Sequence, residues 1–393
     1  MNKLNTTGGY TLLCIACLTI MVGALVTPGL ISISGALGVA DNAILLVTLP
    51  SLGAVIFAPL AGKLIDKYGA YRSLAIGLFL YGFLGASVYW LHGPALVFAN
   101  RILLGGVTSV VMAGCTVLIS HWYFGKARLS MMAKQGMAIE LGGVLFLFFG
   151  GLLAVQHWTL PLSLYVIAWV FLAMLLFFVP RQYPTEIAAD TSDEHGVLHT
   201  GLSLKSVYLV AVLSMFSFFT AIVILPSTMH EQNYNEEQVG FLLAFISLAA
   251  VVAAHFMPKL CKLFGEQKVL ALAFIGYGLS YIFFLQAGTP TLVIAAIFSG
   301  FGFGSSIPLL NHMTVQRSEA KVRGRNLSYF TMAVFSGQFL TSFVEYIPGG
   351  INNVFISYIT LCVLVALILF IKTVKFTNNQ RDHHDKFNET NYR

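Results

Sequence analysis

Long apolar stretches, separated by short polar breaks, run along the chain from about Tyr10 to Lys372. A helix needs about 20 predominantly apolar residues to cross the hydrocarbon core of a bilayer, and the stretches are of that order. The eleven breaks lie near 41, 62–72, 92–94, 121–128, 156–159, 181–205, 230–238, 258–268, 288–290, 316–326 and 348–353. Eleven breaks separate twelve spans, so we predict an all-α membrane protein with twelve transmembrane helices and both termini on the same side.

One stretch of this pattern occurs twice. SLGAVIFAPLAGKLIDKYG at 51–69 and SLAAVVAAHFMPKLCKLFG at 247–265 are identical at eight of nineteen positions without a gap. Their offset of 196 residues is close to half of the 393-residue chain. The repeat therefore predicts two pseudo-symmetric halves of six helices each. Since six is even, both halves run in the same direction and are related by an axis along the membrane normal.

The polar segments outside the spans complete the predicted organisation. The segment between the sixth and seventh spans is long and poor in apolar residues, and the C-terminal tail is polar. We interpret the first as a linker between the halves and the second as disordered. The predicted parts are the N-terminal half at 1–180, the linker at 181–205, the C-terminal half at 206–372 and the tail at 373–393.

The composition is that of a membrane protein, and the distribution of its basic residues predicts its orientation in the membrane. Charged residues make up 10% of the chain, against roughly 25% in soluble proteins. Of the 22 Lys and Arg residues, all but Arg101 lie at the termini, in the even-numbered breaks or at the helix ends beside them. Basic loops mark the cytoplasmic side. We therefore expect a multi-pass protein of the cell (inner) membrane with cytoplasmic termini, and the net charge of +6 needs no nucleic-acid partner.

The first copy of the repeat ends in a short charged loop. Gly62 and Gly69 are suited to a tight turn with positive φ. Asp66 is a lone carboxylate among cations. It can pair with Lys63, Lys67 or Arg72, or with the N-terminus of a helix. The second copy has Lys262 where the first has Asp66, so we expect it to lack the carboxylate.

Two motifs resemble those of the major facilitator superfamily. GKLIDKYGAYR resembles the loop between the second and third helices of that family, and NRILLG at 100–105 resembles its fourth-helix pattern through Arg101 and Gly105. The loop positions that match are Gly62, Leu64, Asp66, Gly69 and Arg72. The resemblance covers residues 10–372 and implies the twelve-helix fold of that family. It also implies that Asp66 and Arg72 latch the two halves together on the cytoplasmic side, whereas the simpler alternative is that they are surface charges that set topology.

Two charged residues are predicted to lie deep in the membrane, where charges are costly and often functional. Arg101 lies in the fourth span, and Glu140 lies about ten residues, or ~15 Å, into the fifth span. We hypothesise that Glu140 carries a proton and that Arg101 modulates its pKa. Two alternatives are a static buried pair and a role for Arg101 in binding an anionic substrate.

Three further residues are weaker candidates, because nothing but their side-chain type suggests that they line a cavity. The run MFSFFT contains Phe216 and Phe219, and Asn311 lies near the inner end of the tenth span. These side chains are candidates for an aromatic cavity with one polar group. Packing against lipid or neighbouring helices explains the phenylalanines equally well.

The resemblance is strongest to the twelve-span drug:proton antiporters, so we expect proton-coupled efflux of a small amphiphilic organic compound. The fifth span reads GGVLFLFFGG, where those antiporters usually carry a central Gly-Pro, and this departure weakens the efflux assignment. The alternatives are proton-linked uptake or facilitated diffusion of a metabolite, and a transport-dead sensor. We expect no enzyme activity, metal or cofactor, a proton gradient as the energy source, and a monomer whose partners are its substrate and the lipid bilayer.

Overall fold

The fold is described from a computed structural model, which describes residues 4–123, 125–181, 202–286, 288–318 and 323–391. Twelve helices in this part of the chain are long and apolar enough to cross a membrane, which confirms the predicted all-α fold. We number them α1 Thr6–Ala24, α2 Leu45–Tyr68, α3 Ala70–Ser87, α4 Pro94–Trp122, α5 Gly125–Gln156, α6 Ile167–Phe178, α7 Leu204–Glu231, α8 Glu236–Phe264, α9 Glu266–Phe284, α10 Thr289–Gln316, α11 Arg323–Leu340 and α12 Gly350–Asn391.

Short helical pieces extend four of these spans, among them α3, which the 3₁₀ turn Val88–Trp90 continues. The chain turns after α1 and forms a separate helix at Leu30–Leu37, and Leu160–Val166 leads into α6. A 3₁₀ turn at Thr341–Tyr346 extends α11. The turn after α1 contains Pro28, which cannot donate a backbone hydrogen bond. The corresponding Pro226 lies inside the continuous helix α7, so the repeated proline interrupts the first helix of one half only.

Glycines allow the closest helix contacts within each half. In the N-terminal half α2 packs along α4, and a methyl group added to Gly105 would overlap the carbonyl oxygen of Pro50. In the C-terminal half α8 packs along α10, and Gly304 approaches the carbonyl oxygen of Ala250 in the same way. Small residues let membrane helices pack backbone to backbone, so the same packing occurs in both halves.

The repeated charged loops are turns at a single glycine. Gly69 joins α2 to α3 with φ 82°, and Gly265 joins α8 to α9 with φ 83°. Both values lie in the region that glycine enters without steric cost. The prediction of positive φ at Gly62 is wrong, because α2 continues to Tyr68 and Gly62 lies inside it.

The two halves meet mainly at one end of the bundle. We call the end with the Gly69 and Gly265 turns the near end, which also holds the start of α1, and the opposite end the far end. At the far end the Ser342 hydroxyl donates a hydrogen bond to Thr48 Oγ1 (2.6 Å), which joins α11 to α2. Phe148 of α5 stacks on Phe241 of α8 with ring centroids 5.2 Å apart.

The predicted linker and tail are described only in part. Residues 182–201 of the linker lie outside the described residues. The helix α12 runs from Gly350 to Asn391, and its membrane-spanning part ends at Lys372. Disorder of the tail at 373–393 stays a prediction. No Gly or Pro follows Gly350, so the sequence contains no residue that strongly terminates a helix.

Candidate functional site

Glu140 lies in the middle of α5, on the face that packs against α8. Gly143 and Gly151 follow it at helical spacing, and Gly143 lies opposite Ser247 of α8. A methyl group added to Gly151 would lie 2.8 Å from the Cα atom of Gly240, so the two backbones are in close contact there. Glu140 is half-buried. Since α5 and α8 belong to different halves, its carboxyl group lies at their boundary.

A cluster of three buried hydroxyl groups lies in the C-terminal half, towards this boundary. Ser214 of α7 forms hydrogen bonds with Tyr277 of α9 (3.1 Å) and with Ser306 of α10 (2.6 Å). Tyr277 and Ser306 are themselves 3.2 Å apart. The cluster therefore joins α7, α9 and α10 through hydroxyl groups inside the membrane.

Arg101 is fully buried in the N-terminal half. Its Nη1 donates a hydrogen bond to the Tyr165 hydroxyl (3.2 Å), and its guanidinium lies 5.7 Å from the centre of the Tyr165 ring. Its Nε and Nη2 atoms have no hydrogen-bond partner among the described residues. A buried cation that forms one hydrogen bond and one ring contact is held at a considerable cost in desolvation.

The structure does not bring Arg101 and Glu140 together. Cys17 of α1 contacts α5 through the carbonyl oxygen of Ala138 (3.0 Å), while Val22 of α1 accepts the hydrogen bond of Tyr165. The helix α1 therefore lies between the surroundings of the two charged residues. Adjacency of α4 and α5 in sequence suggested a pair, but the two side chains project to different sides of α1.

Two buried tyrosines attach α1 to the outer helices of its half. Tyr81 of α3 donates to the Leu18 carbonyl oxygen (2.7 Å), and Tyr165 donates to that of Val22 (2.9 Å). The Val26 amide, which would bond to Val22 in a continuous helix, bonds instead to Gly23. Tyr165 thus satisfies a carbonyl group that the turn at Pro28 has left without its helical partner.

The C-terminal half contains a corresponding pair of tyrosines. Tyr281 of α9 donates to the Ser217 carbonyl oxygen, and Tyr358 hydrogen-bonds with Thr220 (2.7 Å), so both hold α7. The paired rings are 5.2 Å apart here and 5.9 Å apart in the N-terminal half. Sequence reasoning missed these four residues. The repeat offset of 196 matches Tyr81 with Tyr277 and not with Tyr281, so the repeat did not reveal this pair.

The charged loop of the first copy is exposed. Asp66, Arg72 and Lys63 all face outward at the near end, and the described part of the chain contains no ion pair to Asp66. Lys67 lies over the ring of Tyr68 (5.1 Å). In this conformation the residues of the predicted latch form no described contact with the other half.

A paired carboxylate follows directly after the second copy. Glu266, the first residue of α9, forms an ion pair with Arg317 at the end of α10 (3.4 Å). The copy at 247–265 itself contains no carboxylate, because Lys262 takes the place of Asp66. A carboxylate latch in the first copy alone therefore stays a prediction.

The three predicted cavity residues have different surroundings. Phe216 is half-buried and packs against Tyr358 of α12 (5.0 Å between ring centroids). Phe219 is buried, with 8% of its surface exposed. Asn311 is exposed on α10. The structure does not place these three side chains in one cluster.

A stripe along α1 is more accessible than the rest of that helix. Tyr10 is exposed, and Leu13, Cys14, Cys17 and Ile20 are half-buried, while most other residues of α1 are buried. Helices α2, α4, α5 and α6 of the same half pack against α1. The stripe runs beside α5, since Cys17 donates to the Ala138 carbonyl oxygen of that helix (3.0 Å) and Ile20 lies next to Gly143.

Curated proteins of known role resemble this chain over most of its length. Multidrug resistance protein 2 of Bacillus subtilis (strain 168) is 21% identical over 304 residues, which cover 73% of this chain and 76% of the relative. The class D tetracycline resistance protein of Salmonella ordonez is 25% identical and covers 78% of this chain and 80% of its own. The hexuronate transporter of Bacillus subtilis (strain 168) is 23% identical, with coverage of 82% and 84%.

Solved structures and a family model agree on the fold. A D-xylose-proton symporter superimposes with a TM-score of 0.72 at 18% identity, covering 92% of this chain and 96% of its own. The inward-open xylose transporter XylE from E. coli gives a TM-score of 0.68 at 17% identity, with coverage of 92% and 95%. The model of the Major Facilitator Superfamily matches residues 12–205 and 207–389, and the chain therefore belongs to the Major Facilitator Superfamily, whose members are transporters and not enzymes.

Proposed function

We propose that this transporter couples the entry of protons to the efflux of a small amphiphilic organic compound by alternating access. The multidrug and tetracycline resistance proteins among its relatives support efflux. The half-buried, thiol-bearing stripe on α1 supports a substrate with a substantial apolar part. We assign the protein to the cell (inner) membrane, with cytoplasmic termini at the near end and the monomer as the working unit.

The observation that carries the proposal is the position of Glu140 between α5 and α8. Among the described residues it is the acidic side chain that lies deep within a span and at the boundary of the two halves. A charged carboxylate is costly to enclose between helices, whereas a protonated one is much less so. Protonation of Glu140 therefore favours closure of the halves around it, and loss of the proton favours their separation.

The charged loop completes this cycle at the near end. In the conformation described here the far end is closed and Asp66 is exposed. We propose that closure of the near end brings Asp66 and Arg72 against α11, whose first turn contains Arg323 and Arg325. Opposite charges and the positive N-terminal end of a helix both attract a carboxylate.

The test uses purified protein in proteoliposomes, with tetracycline, a 2-nitroimidazole and a fluorescent organic dye as probes. An imposed pH gradient should drive accumulation of at least one probe by the wild-type protein. Glu140→Gln should transport that probe at the same rate with and without the gradient, because glutamine cannot exchange a proton. Glu345→Gln, at the exposed far end of α11, is the matched control and should keep the response.

Full gradient-driven accumulation by Glu140→Gln would refute the assignment of the proton to this residue.

Uptake of an external nutrient is the second candidate function, and it is favoured by the similarity to a hexuronate transporter. Glucuronate is the probe for this alternative. Flux of glucuronate in the same direction as the protons would support it over efflux.

A further inference from the structure

A cleft separates α8 and α10 where both helices reach the near end. Its volume is about 410 Å³. The first residue of α9 closes one side of it. The side chains that give it its chemical character are Met257, Cys261, Lys262, Glu266, Leu309 and His312. The walls are apolar, and the polar groups are a cation, an imidazole, a thiol and a carboxylate.

The charge in this cleft is unbalanced. Glu266 is bound by Arg317, whose side chain is 10% exposed, so the carboxylate is already neutralised. Lys262 and His312 are exposed, and among the described residues neither forms an ion pair. Lys259 and Lys268 add two further exposed cations beside the opening. An anion entering the cleft would therefore meet positive charge that no protein carboxylate compensates.

The surroundings of the cleft place it at the level of the lipid head groups. Leu263 and Phe264 at the end of α8 are 76% and 49% exposed, and Phe256 one to two turns earlier is 47% exposed. Lys259 lies over the ring of Phe256 at 5.5 Å. Exposed aromatic and aliphatic side chains next to lysines are typical of the boundary between hydrocarbon and head groups.

The first copy of the repeat differs at the positions that correspond to Lys262 and Glu266, two charged residues of the cleft. Asp66 occupies the place of Lys262, and Ala70 occupies that of Glu266. Asp66 is exposed and unpaired among the described residues, so it would repel an anion at the corresponding place. The contrast between the two loops predicts an anion site in the C-terminal half and none at the equivalent position in the N-terminal half.

We propose that this cleft binds the head group of an anionic phospholipid. The phosphodiester group lies between Lys262 and His312, and the acyl chains run along the exposed side chains of Phe256 and Leu263. Basic pockets between membrane helices are suited to such head groups. The lipid bridges the ends of α8 and α10, of which α8 packs against α5 of the other half.

The experiment measures retention of lipid by the purified transporter in native mass spectrometry. Phosphatidylglycerol and phosphatidylcholine, with identical acyl chains, are added in equal amounts. The wild-type protein should retain phosphatidylglycerol preferentially. Lys262→Gln should weaken its retention about fivefold, as expected for one lysine near an anionic lipid, and Lys262→Arg should preserve it. Lys63→Gln in the first loop is the matched control and should leave retention unchanged.

Equal retention of phosphatidylglycerol by wild type and Lys262→Gln would overturn the proposal, and so would equal retention of the two lipids by the wild type. Displacement by inorganic phosphate alone would assign the cleft to a soluble anion and overturn it as well. If Lys262→Gln does not fold, His312→Gln tests the opposite wall of the cleft with the same expected loss. None of these outcomes depends on proton coupling or on the direction of transport.

Discussion

At the scale of single residues, Arg101 occupies the least favourable environment in the described structure. It is a fully buried cation whose described partners are the hydroxyl group and the ring of Tyr165. The same hydroxyl donates to the Val22 carbonyl oxygen, where the first helix ends its regular hydrogen bonding. Arg101 and Tyr165 therefore act together on the turn that follows α1.

Tyr165→Phe should destabilise the protein more than Tyr358→Phe, its counterpart in the other half. Both changes remove one hydroxyl group, and an interhelical hydrogen bond in a membrane protein is worth about 0.6 kcal/mol on average. Tyr165→Phe also leaves Arg101 without its described hydrogen-bond partner, so we expect a cost of about 1.5–3 kcal/mol. Unfolding in detergent–SDS mixtures measures both variants. Equal losses would contradict the role given to Arg101.

At the scale of helices and turns, glycines decide how closely the spans pack. The family pattern NRILLG places Gly105 four residues after Arg101, and the structure gives its physical reason. Gly105 faces the Pro50 carbonyl oxygen, where a side chain would force α2 and α4 apart. Gly62 has no atom within 4 Å of the position of an added methyl group. Gly62 and Gly105, one from each matched motif, thus have different structural constraints.

Gly105→Ala should lower the free energy of unfolding by about 1–3 kcal/mol, because overpacking displaces two helices. Gly62→Ala introduces the same methyl group into an open, helical position and should stabilise the protein by about 0.5–1 kcal/mol. The same SDS titration compares the two variants. If Gly105→Ala is as stable as Gly62→Ala, the close contact between α2 and α4 is not as described.

At the scale of the whole molecule, the halves are joined at the far end by three kinds of contact. These are the Ser342–Thr48 hydrogen bond, the stacked rings of Phe148 and Phe241, and the backbone contact of Gly151 with Gly240. The alternating access that we propose requires these contacts to separate while the near end closes. Under that proposal the far end contains a gate, which is closed in this conformation.

A disulfide between Thr48→Cys and Ser342→Cys should hold that gate closed. The two hydroxyl oxygens are 2.6 Å apart, so the substituted thiols will be close enough to oxidise after small adjustments. Oxidation should abolish transport of the probe in proteoliposomes, and a reductant should restore it. The two single-cysteine variants are the controls. Undiminished transport by the fully oxidised protein would show that this gate does not open during the cycle.

Much of the architecture was predictable because it depends on local composition and on a repeat. The number of spans follows from apolar length, and the two halves follow from the copies at 51–69 and 247–265. The family follows from the loop at 62–72 and from Arg101 with Gly105. These features can be read from short stretches of sequence, so predicting them does not require knowledge of which helices pack together.

The surroundings of the charged residues depended on tertiary structure. Sequence order suggested that Arg101 and Glu140 form a pair, but α1 lies between them and the described partner of Arg101 is Tyr165. The ion pair between Glu266 and Arg317 joins residues 51 positions apart in sequence. Helical periodicity fixes which residues share a face of one helix, but it does not specify which helix covers that face.

The sequence by itself determined the twelve spans, the two related halves, the distribution of basic residues and the presence of deep charges. Each of these is a one-dimensional property, set by the free energy of transferring side chains into a bilayer. Only the tertiary structure decided that Glu140 meets the other half, that Arg101 does not meet Glu140, and that a cationic cleft lies between α8 and α10. Such outcomes depend on long-range helix packing, where glycine contacts and buried tyrosines select one arrangement among several that the same hydrophobic pattern permits.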